Sequence, residues 1–413
     1  MIIKKLDNGI TVIGDYMPHA KSAAIGFFVK AGSVDEDSSN YGISHIIEHM
    51  MFKGTKTRST YDISEAFDVL GADFNAFTSE EYTCYYGKFL PENVIAGAEL
   101  FIDMITNSVF DADELEKEKQ VILEELKMYE DNPDYKAIME LNKAIHYGTS
   151  FGMDIIGTED SIINTTREKI LDYYNKHYCI ENMVVSVSGN FDFDAIYNYL
   201  NNNFTMNHST VNRVLELRHC LPQYLSVVRD IEQSHIAIGC VGLGESHKDI
   251  RALDLLSDIL GGTMSSRLFK SIREEQGLAY SVWAGVDTAI DTGSFSIGAG
   301  VAHENVEQTI KSIQAEIIKL KNEGITYEEF ERAKNCMKSK YVFKMEGVSN
   351  RLRELGSFEL LMSKHEELDE EIKKIDAITY EDVVKAIDYI SDLSRYSYVV
   401  VSNKWYDIEK IIK

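Results

Sequence analysis

The amino-acid sequence predicts an α+β protein with two homologous domains, each a mostly antiparallel sheet with helices packed on one side. Three observations lead to this fold class. Segments of the first half of the chain have counterparts in the second half at a nearly constant offset. The paired segments read as short apolar strands, turns and amphipathic helices in the same order. The chain has 413 residues, which at about 150 residues per domain is enough for two or three domains.

The repeated segments define the unit. Each copy begins with a strand, a turn and a second apolar strand, at 10–33 and at 225–246. A strand, a turn that ends in Glu-Asn and an amphipathic helix follow at 83–105 and at 294–317. The remaining pairs, a charged helix and a last apolar strand, are 114–126 with 329–341 and 181–189 with 395–403. The offset stays at about 212–215 residues, which indicates two copies of one α+β unit.

These pairs predict a first domain over residues 1–205 and a second domain over residues 223–413. The join between them is polar and reads NNNFTMNHSTVNRVLEL at 201–217, so we predict a linker over 206–222. The chain contains four prolines and no low-complexity run, which argues against long disordered linkers.

Composition and charge indicate a soluble protein that does not bind nucleic acid. The chain is 44% hydrophobic and 26% charged, so it has enough apolar mass for large cores. Its formal net charge is −25, whereas phosphate binding needs a basic surface. The acidity permits basic ligands, although most of it is expected to be solvated surface.

Cysteine usage and the hydrophobic pattern predict a cytoplasmic protein. The cysteines are odd in number and show no paired short spacing, which is typical of free thiols in a reducing compartment. They are Cys84, Cys179, Cys220, Cys240 and Cys336. The start of the chain, MIIKKLDNGITVIGDYM, lacks the apolar core and cleavage site of a signal peptide. No apolar run approaches the roughly 20 residues that span a bilayer, so we expect no membrane partner.

One stretch, GISHIIEHMMFKGT at 42–55, carries three ionisable side chains on an otherwise apolar helix. His45 and His49 are four residues apart, so they lie one above the other, with Glu48 beside them. Two imidazoles at this spacing can bind one metal ion, and a neighbouring carboxylate can act on a metal-bound water. The alternative is a core or surface helix with two chance histidines.

The second copy provides an internal comparison. It has no histidine between His247 and His303, and its equivalent helix, RALDLLSDIL at 251–260, is apolar. A structural feature would be expected in both copies, whereas a catalytic cluster need occur in only one. The comparison therefore favours a functional role for the histidines of the first copy.

A catalytic zinc ion takes three protein ligands, so the two histidines leave one ligand to be found. The predicted helix at 111–130 offers Glu118 and Glu125, seven residues apart and thus two turns apart on one face. Their counterparts in the second copy are Ala333 and Lys340, so the acids are lost together with the histidines. Spacing alone does not choose Glu125 among the acids of this helix, which include Glu114, Glu116 and Glu124.

These motifs resemble the pitrilysin/insulinase-type metallopeptidases of family M16, whose inverted zinc motif is His-x-x-Glu-His. The resemblance covers nearly the whole chain and is closest to the short subfamily of the mitochondrial processing peptidase β-subunit and bacterial processing-protease-like proteins. GISHIIEHMMFKGT matches the zinc helix, and EKEKQVILEEL matches the second zinc-site helix. GADFNAFTSEEYTCYY matches the substrate-binding edge strand, and SSRLFKSIREEQGLAYSVWA matches the second-domain signature. One departure is HYGTSFGMDIIGT at 146–158, where Thr-Ser-Phe stands in place of a frequent His-Pro.

The resemblance implies a zinc site residue by residue. His45, His49 and Glu125 would hold one Zn²⁺ per chain, and Glu118 would be a second acid that supports the site. Glu48 would accept a proton from the water activated by zinc and pass it to the leaving amine. The alternative for Glu48 is a structural salt bridge.

The resemblance also implies substrate contacts in both domains. Asn75, Ala76 and Phe77 on the edge strand would bind an extended peptide through backbone hydrogen bonds. The alternative is a plain sheet strand. Arg273 and Tyr280 match the pair that contacts substrate near the zinc, where they would supply two hydrogen-bond donors. The alternative for Arg273 is a surface ion pair with one of the two glutamates that follow it.

The chain is therefore predicted to be a zinc-dependent endopeptidase that cleaves flexible peptides or unfolded precursor segments. The alternatives are a noncatalytic scaffold subunit of the same fold and a protease dedicated to one precursor peptide. Long family members enclose substrate between two halves of two domains each, so this chain implies a homodimer with two-fold symmetry. Each zinc would then face the Arg/Tyr pair of the partner subunit. A heterodimer with a related chain, or a site completed within one protomer, stays open.

Overall fold

Two β-sheets form the framework of the computed structural model, which describes residues 1–211, 213, 215, 221–365 and 367–413. The predicted α+β class with two sheets and packed helices is confirmed. Residues 212, 214 and 216–220 of the predicted 206–222 linker lie outside the described residues, and so does Cys220.

The first sheet contains, among the described residues, the strands β1 Ile2–Lys5, β2 Thr11–Tyr16, β3 Ala23–Val29, β4 Asp73–Thr78, β5 Thr83–Phe89 and β6 Met183–Gly189. Their order is β1-β2-β6-β3-β5-β4. The pair β2–β6 is parallel and the other neighbouring pairs are antiparallel. Strands β3 and β6 are buried along their whole length, which explains why both are continuous runs of apolar and small residues.

The helices of the first half are α1 Ile43–Met50, α2 Thr60–Val69, α3 Val94–Asn107, α4 Ala112–Asp131, α5 Pro133–Ile145, α6 Glu159–Ile163, α7 Arg167–His177 and α8 Phe193–Asn203. Helix α3 packs on strands β3 and β5 of the first sheet. Phe27 of β3 meets Phe101 of α3, with 5.8 Å between the ring centroids, and both side chains are fully buried. This aromatic contact lies in the core between the sheet and its helices.

The second sheet has the strands β7 Tyr224–Val228, β8 Ser234–Val241, β9 Ala279–Thr288, β10 Gly293–Val301 and β11 Ser397–Ser402. The helices of this half are α9 Ile250–Ser257, α10 Val306–Glu323, α11 Tyr327–Met345, α12 Val348–Met362, α13 Leu368–Ala377, α14 Tyr380–Ile390 and α15 Ile408–Ile412. Two π-helical segments, Asp258–Gly262 and Phe269–Glu275, follow α9. The sheet order is β7-β11-β8-β10-β9, with β7–β11 parallel and the other pairs antiparallel.

The two sheets repeat one topology. The order β2-β6-β3-β5-β4 of the first sheet matches the order β7-β11-β8-β10-β9 of the second, strand for strand. Among the described strands, each sheet has one parallel pair, and it stands at the same place in both orders. The internal repeat read from the sequence is therefore a repeat of structure, and β4 and β9 are equivalent edge strands.

Packing divides the chain into two compact units that are not continuous in sequence. The first unit contains residues 1–126, 153–215 and 342–368, and the second unit contains the rest. Helix α12 of the second half thus belongs to the first unit, and helix α5 of the first half belongs to the second. The predicted boundaries, 1–205 and 223–413, follow the repeat along the chain and do not contain this exchange.

Helix α12 covers the face of the first sheet that α3 leaves open. Helices therefore lie on both faces of this sheet and not on one side as predicted, because strand β3 is apolar and buried on both faces. Phe28 follows Phe27 on β3, so their side chains point to opposite faces of the sheet. Leu355 of α12 shares a buried cluster with Phe28 and Ile13. Gly356 approaches β3 so closely that a Cβ there would lie 2.2 Å from the Phe28 ring. A glycine is therefore required at this contact, because a larger residue would push the helix off the sheet.

Helix α5 has the equivalent role in the second unit. Its apolar face carries Ala137, Leu141 and Ile145, which are buried against Ala237 of β8 and Val399 of β11. Strands β8 and β11, two of the three interior strands of the second sheet, are thereby covered on this face, which explains their continuous apolar sequences.

The cysteines in the described part of the chain are free, and Cys84, Cys179 and Cys240 are buried. None of the described helices combines the length and the apolar character needed to cross a bilayer.

Candidate metal centre

Helix α1 presents His45 and His49 on the face that its apolar residues leave free. Four of its residues are fully buried in the core, and they are Ile43, Ile46, Ile47 and Met50. The two imidazoles, four residues apart, stand with 4.6 Å between their ring centroids. The predicted helix and the predicted juxtaposition of its histidines are thus observed.

A buried carboxylate holds the start of α1. Glu36 accepts hydrogen bonds from the backbone N–H of Gly42 at 2.7 Å and of Ser44 at 2.9 Å. Such N–H groups have no partner within the helix and carry partial positive charge, so an acceptor stabilises them. Burial raises the pKa of Glu36 to about 8 in spite of these bonds. Gly42 has a φ of +79°, a conformation that favours glycine, and it fixes the entry into the helix.

Glu125 of helix α4 completes a cluster with the two histidines. Its Oε2 lies 3.8 Å from Nε2 of His45 and 3.5 Å from Nε2 of His49. The three ligand atoms all lie within 4.8 Å of one another. Zinc–ligand bonds of about 2.0–2.2 Å in a tetrahedral arrangement place ligand atoms about 3.3–3.5 Å apart. Oε2 of Glu125 is at this separation from His49 and slightly beyond it from His45, so the two imidazole nitrogens and the carboxylate oxygen fit Zn²⁺ with small movements of the side chains.

The two histidines titrate in opposite directions. Burial, together with the nearby His49, lowers the pKa of His45 to about 4, so its imidazole is neutral and able to bind a metal. Burial also acts to lower the pKa of His49, but hydrogen bonds with Glu118 and Glu125 outweigh it and raise the pKa to about 9. Several carboxylates thus surround this ring, and they favour a positive charge at the place where the ligand atoms converge.

Glu118 orients His49 from the other side of the ring. Its Oε1 lies 2.9 Å from Nδ1 of His49, and its Oε2 lies 2.6 Å from the ammonium of Lys53. Burial alone would raise the pKa of this carboxyl group. The bonds with His49 and Lys53 outweigh burial, so the pKa lies below its usual value. A ligating histidine commonly donates its second ring N–H to such a carboxylate, which directs the other nitrogen to the metal.

The structure distinguishes among the acids of α4. Glu125 and Glu118 turn toward the histidines, one at the ligand atoms and one behind a ring. Glu114 and Glu116 instead pair with lysines of their own helix, each at 2.6 Å. The seven-residue spacing of Glu118 and Glu125 therefore places both on the face that meets α1.

Glu48 lies beside the ligands and is half-buried. Its Oε2 accepts a hydrogen bond of 2.6 Å from the hydroxyl of Thr78. Within the described residues, no lysine or arginine lies at salt-bridge distance from this carboxylate. Burial raises the pKa of Glu48, although the Thr78 hydrogen bond and His49 oppose the shift. A carboxylate in this environment is suited to accept and return a proton.

The segment proposed for substrate contacts is an edge strand. Strand β4 ends the first sheet, and Asn75, Ala76 and Phe77 pair on one side only with β5. Asn75 is exposed, and its side-chain oxygen accepts a hydrogen bond from the N–H of Ala76 at 2.9 Å. The strand thus offers backbone groups along its outer edge, as β-strand addition requires.

Arg273 and Tyr280 lie together in the second unit. The guanidinium of Arg273 stands over the Tyr280 ring at 5.4 Å and over the Phe269 ring at 4.7 Å. In the described part of the chain no carboxylate lies within 4.0 Å of Arg273, and Glu275 pairs with Lys270 instead. Tyr280 is 75% exposed on the edge strand β9, so both donors of the predicted pair are accessible.

The second copy carries a different cluster at the equivalent helices. Asp254 and Asp258 repeat the four-residue spacing of the two histidines. Lys340, the counterpart of Glu125 in the repeat, places its ammonium 2.7 Å from Oδ1 of Asp258. A lysine therefore neutralises the acids here. The helix at 251–260 is not purely apolar, since these two aspartates are part of an ionic cluster.

Three residues that the structure brings to the site are not among the site residues predicted from the sequence. Lys53 lies four residues after His49, and this helical spacing could have indicated its contact with Glu118. Thr78 directly follows the edge-strand residues Asn75, Ala76 and Phe77, but no local pattern connects it with Glu48. Glu36 precedes α1 by a loop, and its bonds to the start of the helix depend on that loop's conformation.

Fold and site together define a two-domain protein with a candidate metal centre, and family models match both parts of the chain. Residues 11–159 match the model described as insulinase (peptidase family M16), and this range contains the ligand cluster. Residues 164–337 match the model described as peptidase M16 inactive domain. The chain belongs to peptidase family M16.

Particular relatives extend over most of the chain. It is 37% identical over 377 residues to the uncharacterized zinc protease YmxG of Bacillus subtilis, covering 91% of this chain and 92% of the relative. It is 34% identical over 406 residues to an uncharacterized zinc protease of Rickettsia felis, covering 97% of each. A protease from Helicobacter pylori has the same fold in its crystal structure, with a TM-score of 0.89, 23% identity and coverage of 97% and 99%.

Proposed function

We propose that this protein is a zinc endopeptidase that cleaves flexible peptides. The observation that carries the proposal is the cluster of His45, His49 and Glu125, with Glu48 on the same helix as the two histidines. Relatives along nearly the whole chain are named zinc proteases, which supports the metal and the reaction class. The model named inactive domain falls on residues 164–337, outside the range of the cluster.

The site residues of the first unit have separate roles in the proposed reaction. His45, His49 and Glu125 would hold one Zn²⁺, which when bound acts as a Lewis acid and lowers the pKa of water to about 7. Glu118 keeps the His49 ring in the orientation that directs Nε2 to the metal. Glu48 accepts the proton of the attacking water and returns it to the leaving amine of the cleaved peptide.

The form of the substrate follows from the edge strand. A peptide that adds to β4 beside Asn75, Ala76 and Phe77 must be extended, because it pairs through its backbone. A stably folded protein cannot supply such a strand without local unfolding. We therefore propose flexible peptides or unfolded precursor segments as substrates. The protein would recognise them mainly through backbone hydrogen bonds.

The second unit contributes Arg273 and Tyr280 to the same reaction. Their guanidinium and phenol groups are donors suited to a peptide carbonyl or to negative charge that develops on it. We propose a symmetric homodimer in which these donors serve the zinc cluster of the other subunit. The free thiols and the acidic charge support a cytoplasmic protein without nucleic-acid or membrane partners.

Digestion of a mixed peptide library, read by mass spectrometry, tests the proposal. Cleavage should stop when a chelator removes the metal and should return when Zn²⁺ is added back. A stable domain should resist digestion, whereas a destabilised variant of the same domain should be cut. Cleavage that continues at full rate in metal-free protein would contradict the proposal, as would equal digestion of the folded and the unfolded domain.

A further inference from the structure

The carboxylate of Glu48 is hydrogen-bonded to the last residue of the edge strand. Thr78 ends β4, and its hydroxyl donates to Oε2 of Glu48 at 2.6 Å. The two residues are thirty positions apart in the chain and belong to different elements of the first unit. The bond therefore joins the helix that carries the ligands to the strand at which the substrate is proposed to add.

The strand pairing holds the Thr78 hydroxyl in place. Thr78 lies directly opposite Thr83 in the β4–β5 ladder. Thr83 is fully buried and donates from Oγ1 to the carbonyl oxygen of Ala31 at 2.8 Å, while its Oγ1 lies 3.5 Å from Oγ1 of Thr78. The hydrogen of Thr83 is thus used elsewhere, and the hydrogen of Thr78 is directed to Glu48.

This bond distinguishes the two oxygens of Glu48. Oε2 is occupied as an acceptor, whereas Oε1 has no hydrogen-bond partner among the described residues. A half-buried carboxylate without such a donor would lose a hydrogen bond to a charged group and could rotate between side-chain conformers. The Thr78 hydroxyl therefore fixes one oxygen and leaves the other to accept a proton.

We propose that Thr78 is a positioning residue for the general base: its hydroxyl fixes Glu48 in the orientation for proton transfer and ties that orientation to the substrate-binding strand. This inference rests on the proposed function, because it assigns Thr78 a part in the same reaction. Thr78 acts through Glu48, and its side-chain hydrogen bonds among the described residues include none to the metal ligands. The hydroxyl, and not the shape of the side chain, carries the effect.

Two substitutions separate the hydroxyl from the shape. Thr78→Val is nearly isosteric and removes the donor, and we expect kcat on an unstructured fluorogenic peptide to fall about tenfold or more, with KM and zinc content unchanged. Thr78→Ser keeps the donor and should retain kcat within about threefold of the original protein. Thr106→Val is the matched control, because Thr106 donates to the Ile102 carbonyl of its own helix and lies outside the site.

Two readouts besides turnover test whether Thr78 acts through Glu48. In the zinc-loaded Glu48→Gln background, adding Thr78→Val should leave the affinity for the same labelled peptide unchanged by fluorescence anisotropy. A crystal structure of Thr78→Val should show the Glu48 carboxylate displaced or in more than one conformer. Should Thr78→Val fail to fold, Thr78→Ala replaces it in each comparison.

The outcomes separate this inference from the proposed function. If chelation and Glu48→Gln leave turnover intact, the proposed function fails. If both abolish turnover while Thr78→Val keeps kcat within twofold, the positioning role is overturned. It is also overturned if the loss appears as weaker peptide binding, or if the Ser variant is as slow as the Val variant.

Discussion

Nδ1 of His49 and Oε1 of Glu118 lie 2.9 Å apart, while Nε2 of the same ring faces Oε2 of Glu125. With a metal on Nε2, Glu118 would accept the proton that Nδ1 retains. We predict that Glu118→Gln weakens zinc binding about 10–100-fold, because the amide lacks the charge and its N–H₂ repels Lys53. Competition with a chromogenic chelator measures the affinity. Glu114→Gln on the same helix is the control, and equal affinities for the two variants would refute this role.

From the Lys340–Asp258 contact of the second unit we predict that Lys340→Met lowers stability by an amount that depends on pH. Burial and the nearby Asp258 raise the pKa of Asp254 from 3.8 to about 6, while Arg251 and Lys340 oppose this shift. A pKa that is higher in the folded state means that stability falls as pH rises through this window. Lys340→Met should raise the pKa of Asp254 further, so the free energy of unfolding should continue to fall at higher pH. Near neutral pH we expect a loss of about 1 kcal/mol, a figure reduced for the exposure of Lys340.

Urea unfolding at about pH 4.5 and about pH 7.5 measures this effect. The Lys340→Met variant should differ from the original protein more at the higher pH, where Asp254 is ionised. Lys338→Met is a matched control, since Lys338 lies on the same helix and pairs with the half-exposed Asp376. The interpretation is wrong if the two variants lose the same stability at both pH values.

We predict that Gly356→Ala destabilises the protein, although helix propensity alone predicts that it is stabilising. Alanine is favoured over glycine within a helix by about 1 kcal/mol, so propensity alone predicts that Gly356→Ala is stabilising. A Cβ at this position would lie 2.2 Å from the Phe28 ring, and such overpacking costs about 1–3 kcal/mol. We expect net destabilisation, measured as a lower urea midpoint. A higher midpoint would mean that α12 does not pack on β3 as described.

Subunit mixing tests the proposed homodimer. His45→Ala removes a metal ligand and Arg273→Ala removes a substrate donor, so each variant should be nearly inactive alone. If the donors serve the other subunit, a mixed dimer has one complete site, with the cluster from one chain and the Arg/Tyr pair from the other. Exchange of subunits should then restore activity. Mass spectrometry of the intact dimers verifies that the exchange has occurred. Proven exchange without any recovery would exclude completion of the site by the partner.

Much of the fold could be predicted because the chain contains it twice. The repeat at about 212–215 residues identified matching strands, and the sheets indeed share one order. The exchange of α5 and α12 could not be predicted, since an amphipathic pattern indicates that a helix covers an apolar surface but not which sheet supplies it. The domain boundaries drawn from the repeat therefore omit it.

The ligand cluster could be predicted in part. Helical spacing placed His45 and His49 together, and the joint loss of acids in the second copy pointed to α4. The separate roles of Glu118 and Glu125 required the angle at which α4 meets α1. The Thr78 contact with Glu48 depends on how the sheet lies against that helix, and no periodicity in the sequence encodes it.

The most direct test compares Glu48→Gln with Glu125→Gln for bound zinc and turnover in the same preparations. Zinc content by inductively coupled plasma mass spectrometry should stay near one ion per chain in Glu48→Gln, while kcat falls by about 10²–10⁴-fold, because only the base is lost. Glu125→Gln should lose both zinc and turnover, and Glu116→Gln should lose neither. Near-normal turnover in Glu48→Gln, or a folded original protein that binds no zinc, would contradict the account.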